Sequence, residues 1–255
     1  VNLKLLSYNI RYGGQGREKA LAAVIREAAP DLVVFQEAVR PRVIERLAAE
    51  TGMGVWASRP GLSLGFMSRV EIANYEWRQP RGARHPFLEI VLAQSEFRIF
   101  GVHLSAIHSN WTERRRIREI RSLLAGIERQ PPGRHALVGD FNTLAPGELL
   151  DVRLLPARLR ALLWLGGGAV HWETIQILLN AHYMDGYRLL KPHEKGFTFP
   201  TWSPHLRLDF IFLPREHAER LKTCDVIRSL GGDGGNNTLA QASDHFPLLA
   251  DLDVS

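Results

Sequence analysis

Cysteine is almost missing from this chain. Cys224 is the single one in 255 residues, so no internal disulfide can form, and a reducing, cytoplasmic compartment is expected. Long apolar runs are missing too. The non-polar stretch Leu162 to Val170 falls far short of the ~20 residues that span a bilayer. Lysine is scarce: of 32 basic residues 27 are arginine, a bias that suits phosphate recognition by a planar fork and can equally follow from genomic base composition. No repeat of fixed period, low-complexity tract or linker interrupts the chain, so residues 1–255 read as one domain. The first residue is Val1 rather than methionine, which fits a processed or trimmed N-terminus.

What is present is ordinary for a protein with a sizeable core: 45% apolar and 23% charged residues. A net charge of +5 and a pI of about 9.6 favour a polyanionic partner over a cationic one. No feature of the sequence calls for an obligate protein partner.

Apolar spacing gives a coarse map. Leu3 to Tyr8 reads as a strand that exits into Asn9-Ile10-Arg11-Tyr12. Leu21, Val24, Ile25 and Ala28 fall at helical spacing. Leu32 to Phe35 is a second strand, delivering Gln36-Glu37 to the same edge. A second helix runs from about Pro41 to Gly52. Leu64 to Ser68 is strand-like, and Phe87 to Ala93 with Phe97 to Leu104 form a hairpin. From Asn110 a long amphipathic helix sets Ile117, Ile120, Leu124 and Ile127 on one stripe and Arg114, Arg115, Arg116, Arg118 and Arg121 on the other face. A helical insertion is expected at about 148–181, with Leu155 to Leu163 and Trp172 to Leu179 as its two helices. Phe197 to Phe199, Arg207 to Leu213 and Pro247 to Leu252 read as strands, and Gly231 to Asn237 as a loop.

The chain is organised around Ala136-Leu137-Val138-Gly139-Asp140-Phe141-Asn142. A buried strand ending in Gly-Asp-x-Asn lifts a carboxylate and an amide off the sheet edge. The carboxylate can bind a cation or take a proton from water, and the amide can donate to an oxyanion. Other strand ends add Asn9, Glu37, His103, Asp209, Asp244 and His245. Asp209 sits among strongly apolar neighbours and needs a partner. Four carboxylates converging with no lysine would repel each other. A divalent cation resolves that, and oxygen donors suit magnesium or manganese better than zinc.

Six short motifs in this order resemble the endonuclease/exonuclease/phosphatase superfamily. They are Ser7-Tyr8-Asn9-Ile10, Gln36-Glu37, Val102-His103-Leu104, Gly139-Asp140-Phe141-Asn142, Arg207-Leu208-Asp209-Phe210 and Ser243-Asp244-His245, and they span nearly the whole chain. The resemblance implies a four-layered α/β sandwich, two mixed β-sheets packed face to face with helices outside. It also implies metal-dependent phosphoester hydrolysis. Carried over, Glu37 is the principal ligand of Mg2+ or Mn2+, supported by Asn9 and Asp244. Asp140 orients or deprotonates the water, Asn142 holds the phosphoryl group, and Asp209 pairs with His245, itself a base or charge stabiliser. The choice of proton acceptor between Asp140 and His245 stays open. His103 departs from the apurinic-endonuclease pattern, which has tyrosine there, and resembles the deoxyribonuclease, sphingomyelinase and deadenylase-like branches.

Two substrate readings follow. DNA is favoured by the basic balance, by Arg114, Arg115 and Arg118, and by aromatics such as Trp202 that can stack on bases. The alternative is a phosphodiesterase or phosphatase acting on lipid headgroups, as sphingomyelinases and phosphoinositide phosphatases do, or on small phosphoesters. An anionic membrane contact through residues 154–179 would accompany the lipid reading.

Overall fold

A computed structural model describes residues 1–80, 83–106, 110–149, 151, 153, 160, 171–231 and 235–255. Among these, the strands form two six-stranded sheets. The first has the order β11-β12-β1-β2-β4-β3, from Leu221–Val226, Leu248–Asp253, Asn2–Asn9, Leu32–Gln36, Gly65–Ser68 and Val55–Ala57. The second has the order β5-β6-β7-β8-β10-β9, from Ile72–Arg78, Phe87–Leu92, Arg98–His103, His135–Asp140, Asp209–Pro214 and Tyr183–Asp185.

Each sheet holds one parallel pair near its middle, β1 with β2 and β7 with β8. Both are strand–helix–strand units, crossing over through α1 (Glu18–Ala28) and α3 (Asn110–Glu128) respectively. A parallel pair needs such a crossover, and it brings both strands to the same edge with the same polarity. All other pairings are antiparallel.

The period-2 alternation of the central strands separates the layers. Leu5, Val34, Phe66, Ile90, Val138, Ile211 and Ala250 meet between the two sheets. Their neighbours Leu6, Tyr8, Val33 and Phe35 face outward beneath α1, α2 (Pro41–Thr51) and α6 (Gly235–Ala242). On the opposite side Phe100, Val102, Leu137, Phe210 and Phe212 pack beneath α3 and α4 (Glu173–Asn180). A short helix, α5 (Gly186–Leu190), completes the set. The architecture is the expected four-layered sandwich. Because β1, β2, β8 and β10 are covered on both faces, they read as near-continuous apolar runs.

Several local expectations need correction. On α3 the buried face is Thr112, Glu113, Arg116, Glu119, Ile120 and Leu123, so Arg116 belongs inside, whereas Ile117, Leu124 and Ile127 are only partly covered. Ion pairing, not hydropathy, decides that face. Phe197 to Phe199 makes one isolated bridge, Phe199 with Leu206, rather than a strand. The expected loop at Gly231 to Asn237 is already helical from Gly235. In the helical insertion, the first expected helix is Leu155 to Leu163, of which residues 155–159 and 161–163 lie outside the described residues. Its second helix is α4, where Ile175 and Leu178 are core rather than lid. Strands β3, β5, β9 and β11 escaped the sequence reading because they are short or lie at an outer edge; β5 leaves most of its side chains to solvent. Among the described residues no helix is long and apolar enough to cross a membrane.

One glycine is required by this topology. Gly139, at φ 147°, lies opposite Val102 in the parallel β7–β8 pair, where a Cβ would stand 1.9 Å from the Val102 carbonyl oxygen. Gly139→Ala is therefore expected to cost about 3 kcal/mol or more, because the clash is with backbone and the φ is hostile to any L side chain. A thermal melt should fall by roughly 6 °C or more. A wild-type melting curve would show that the two strands can separate freely.

Candidate active site

The edge where both parallel pairs end carries the site. Strand register sets much of it. His103 is the β7 partner of Asp140, and Asp209 is its β10 partner, so three polar residues lie in one row across the second sheet. In the first sheet Asn9 ends β1 opposite Gln36, and Glu37 follows. Asn9 joins the sheets: its Nδ2 lies 3.0 Å from Asp140 Oδ2 and 3.4 Å from Glu37 Oε1.

Asp140 is buried, with Oδ1 accepting the Asn142 backbone N–H at 2.8 Å. The ring nitrogens His103 Nε2 and His245 Nε2 stand 3.8 and 3.9 Å from its Oδ2. His245 Nδ1 makes a 2.9 Å bond to Asp209 Oδ2, the partnership that an acid in an apolar strand demands. Thr198 Oγ1 accepts the backbone N–H groups of Leu208 and Asp209 and fixes the start of β10. Burial opposes a charge on His245, yet the Asp209 carboxylate and its hydrogen bond, helped by Asp140 and Asp244, raise its pKa well above the ordinary range. Burial is also the main influence on Asp140, raising its pKa against the pull of His245, with Asp209 adding to the rise. A carboxyl group that gives up its proton reluctantly in this way is a stronger base once ionised.

Backbone strain is concentrated here. Arg11, Tyr12, Glu37 and Asn142 all have left-handed φ, between 47° and 58°. Such conformations in non-glycine residues cost about 1–3 kcal/mol each and persist where the surroundings hold them. Glu37 is held by its Oε2, which accepts the Tyr12 N–H at 2.6 Å, and by its own N–H, which donates to Ser63 Oγ at 3.1 Å. Asn142 Nδ2 donates to the Leu104 carbonyl at 3.1 Å, leaving a second amide hydrogen for a ligand.

Asp244 lies beside Arg11. Its Oδ2 is paired with Arg11 Nε at 3.2 Å, so a cation balances it inside the chain. The loops carrying Asn9 and Asp244 are joined by Ser243 Oγ, which donates to the Asn9 carbonyl at 2.6 Å, and by Arg17. The Arg17 guanidinium donates to the carbonyls of Ile10, Arg11 and Ala242. The site thus brings together Asn9, Glu37, His103, Asp140, Asn142, Asp209 and His245, with Asp244 turned to Arg11.

Two sets of donors merit comparison as a cation site. Asp140, Asp209 and His245 offer atoms within 4.8 Å of one another. Their facing atoms, however, are joined by the Asp209–His245 hydrogen bond, which makes this group a proton-handling cluster. Glu37 is partly exposed, and its Oε1 has one long contact, to Asn9. A carboxylate oxygen with vacant lone pairs beside an amide fits a hard divalent ion.

Around the rim, Tyr12 is 74% exposed and Trp202 63%. Trp202 contacts the Phe199 ring edge-on, and Phe199 packs on His245 at 4.8 Å. Arg114 and Arg118 are exposed on α3, while Arg115 is partly covered, its guanidinium 4.2 Å from the ring of Trp111. The first turns of α3 are pinned to the site's loops from inside. Arg116 donates to the Ser105 carbonyl at 2.8 Å and pairs with Glu113, which accepts from Thr174 of α4. Sequence reasoning missed Arg11, Ser63 and His85. Arg11 directly follows the Ser7-Tyr8-Asn9-Ile10 motif; Ser63 and His85 sit in loops without any distinguishing pattern.

Residues 6–245 match the model of the Endonuclease/Exonuclease/phosphatase family. No curated protein matches the chain in sequence. Among solved structures, the 3' phosphatase NExo from Neisseria, bound to a product DNA hairpin, is similar with a TM-score of 0.70 at 19% identity, covering 98% of this chain and 99% of that one. An AP endonuclease from Archaeoglobus fulgidus gives a TM-score of 0.70 at 16% identity over 98% and 99% of the two chains. A humanized TDP2 from D. rerio gives 0.66 at 18% identity over 99% of each. At these identities the likeness establishes the shared fold.

Proposed function

Because the chain belongs to the endonuclease/exonuclease/phosphatase family and is a phosphoester hydrolase, we propose that it cleaves phosphodiester bonds of DNA with a water activated at Asp140, assisted by Mg2+ or Mn2+. The observation that carries this reading is the Asn9 amide, which joins the Glu37 oxygen donors at the end of β2 to Asp140 in the other sheet, beside the Asp209–His245 pair.

Glu37 and Asn9 would hold the ion, which supplies positive charge at the phosphoryl oxygens when bound. Asp140, raised in basicity by burial, takes the proton of the attacking water. His245, kept protonated by Asp209, donates to a phosphoryl oxygen or to the leaving oxygen and stabilises the charge developing there. His103 and Asn142 donate to the same phosphoryl group. Arg11 balances Asp244 at the edge of the site, so that the local charge is less negative toward an incoming phosphate.

DNA is preferred over lipid for three reasons. The NExo structure and a D. rerio TDP2 structure, two proteins of this fold, are described as bound to product DNA. Tyr12 and Trp202 offer exposed rings beside the site on which bases can stack, each such stack being worth about 1–3 kcal/mol. The exposed arginines of α3 lie on a helix that the Arg116 network fixes to the loops after β7 and β8.

Arg115→Ala together with Arg118→Ala should weaken DNA binding and lower the slope of log affinity against log salt by about 0.9 for each DNA phosphate no longer neutralised. Hydrolysis of a small chromogenic phosphodiester should hardly change. Titrations over a salt series, beside plasmid cleavage with and without chelator, make the test. No DNA cleavage under any metal condition, together with phosphate release from anionic vesicles, would overturn the choice of substrate.

A further inference from the structure

The two site histidines have different partners. His245 Nδ1 faces a carboxylate. His103 Nδ1 instead faces the hydroxyl of Ser63, at hydrogen-bonding contact. Ser63 is 2% exposed, and its place is fixed by its own backbone, because the Ser63 carbonyl accepts the Ala38 N–H at 2.7 Å.

The direction of the Ser63–His103 bond follows from counting hydrogens. Ser63 Oγ already accepts the Glu37 backbone N–H at 3.1 Å, a donor of unambiguous sense. Among the described residues His103 Nδ1 is the remaining partner of that hydroxyl, so the serine O–H has one acceptor to reach. If Nδ1 carried the hydrogen, the serine hydrogen would have no acceptor. The bare lone pair of Nε2 would then face the Asp140 Oδ2 acceptor 3.8 Å away. The opposite arrangement satisfies every group: Glu37 N–H to Ser63 Oγ, Ser63 O–H to His103 Nδ1, and His103 Nε2–H toward the site. The other groups around the ring do not compete for Nδ1. His85 stacks flat on it at 5.0 Å, and His245 lies across Asp140. Burial together with His85, His245 and Arg84 keeps the imidazole neutral.

We propose that Ser63 is a positioning residue that fixes His103 as the neutral Nε2–H tautomer, a hydrogen-bond donor to the phosphoryl group rather than a proton carrier. The roles of the two histidines are thereby separated: His245 beside Asp209 carries the proton, and His103 beside Ser63 only donates a hydrogen bond. Outer partners of this kind set which ring nitrogen holds the hydrogen. The inference rests on the phosphodiesterase reading for the identity of the acceptor, but the tautomer itself exists in the resting protein.

The test is therefore spectroscopic first. In the full chain labelled with 15N at histidine, with His103→Gln used for assignment, His103 should show a bare Nδ1 and a protonated Nε2. Ser63→Ala should move the ring toward a mixture of tautomers, and Ser63→Thr, which keeps the hydroxyl, should restore the wild-type pattern. In turnover of the chromogenic phosphodiester, Ser63→Ala should lower kcat roughly 10- to 100-fold with little change in KM. The loss should persist at saturating Mg2+, where any weaker hold on Glu37 caused by the missing Ser63 acceptor is overcome. A protonated Nδ1 in the wild type, or an unchanged tautomer in Ser63→Ala, would overturn the proposal. So would a kcat loss traced wholly to a raised Mg2+ requirement, since Ser63 would then act through Glu37. Failure of DNA cleavage alone would count against the substrate and leave the tautomer result standing.

Discussion

Asp209→Asn is expected to lower kcat by roughly two to four orders of magnitude while KM changes little. The reason is the 2.9 Å bond from His245 Nδ1 to Asp209 Oδ2, in a place where both groups are buried. Burial alone would strip the proton from His245; the neighbouring carboxylate reverses that. An amide of the same shape keeps the packing but removes the charge, and it can present its N–H to Nδ1, turning the ring into the wrong hydrogen-bonding state. The loss should therefore fall on the chemical step. Steady-state kinetics on a chromogenic phosphodiester, with a melting curve to establish folding, measure it. A folded Asp209→Asn protein with wild-type kcat would reduce the aspartate to a buried structural acid.

Glu37→Gln is expected to bring activity to background with the fold intact. Glu37 Oε2 is already engaged by the Tyr12 N–H, and Oε1 is the carboxylate oxygen left for a cation. Glutamine keeps the size and one oxygen but loses the charge that binds a hard divalent ion. Excess chelator should silence the wild type in the same way, and Mg2+ or Mn2+ should restore it. Chelator and mutation address one site, so their effects should not add. Two results would count against the oxygen-ligand site: full activity in excess chelator, or a Glu37→Gln protein that a modest excess of Mg2+ returns to the wild-type rate.

The chain's own pattern made a good part of this legible. The apolar runs of β1, β2, β8 and β10 are legible because both faces of each are covered, and the helices α1 and α2 because each buries one stripe. Gly-Asp-x-Asn could be read as a strand end because glycine followed by two short polar side chains after an apolar run has few other uses. Asp209 announced a partner, since an acid among Asp209-Phe210-Ile211-Phe212 cannot stay alone. The face of α3 misled because Arg116 is neutralised by Glu113, and hydropathy treats each residue without its neighbour.

By itself, then, the sequence determined the central strands and helices through their local period and the residue types of the site, while the layers and the class of chemistry followed from the family resemblance that the order of short motifs carries. Only the tertiary structure decided which of those residues meet. Register placed His103 and Asp209 on either side of Asp140, and the packing of one sheet against the other brought the Asn9 amide between Glu37 and Asp140. It also turned Asp244 to Arg11 and His103 to Ser63. Meetings between residues tens to hundreds of positions apart leave no trace in local periodicity, because they are set by strand pairing and by the charge and hydrogen-bond balance of the assembled edge.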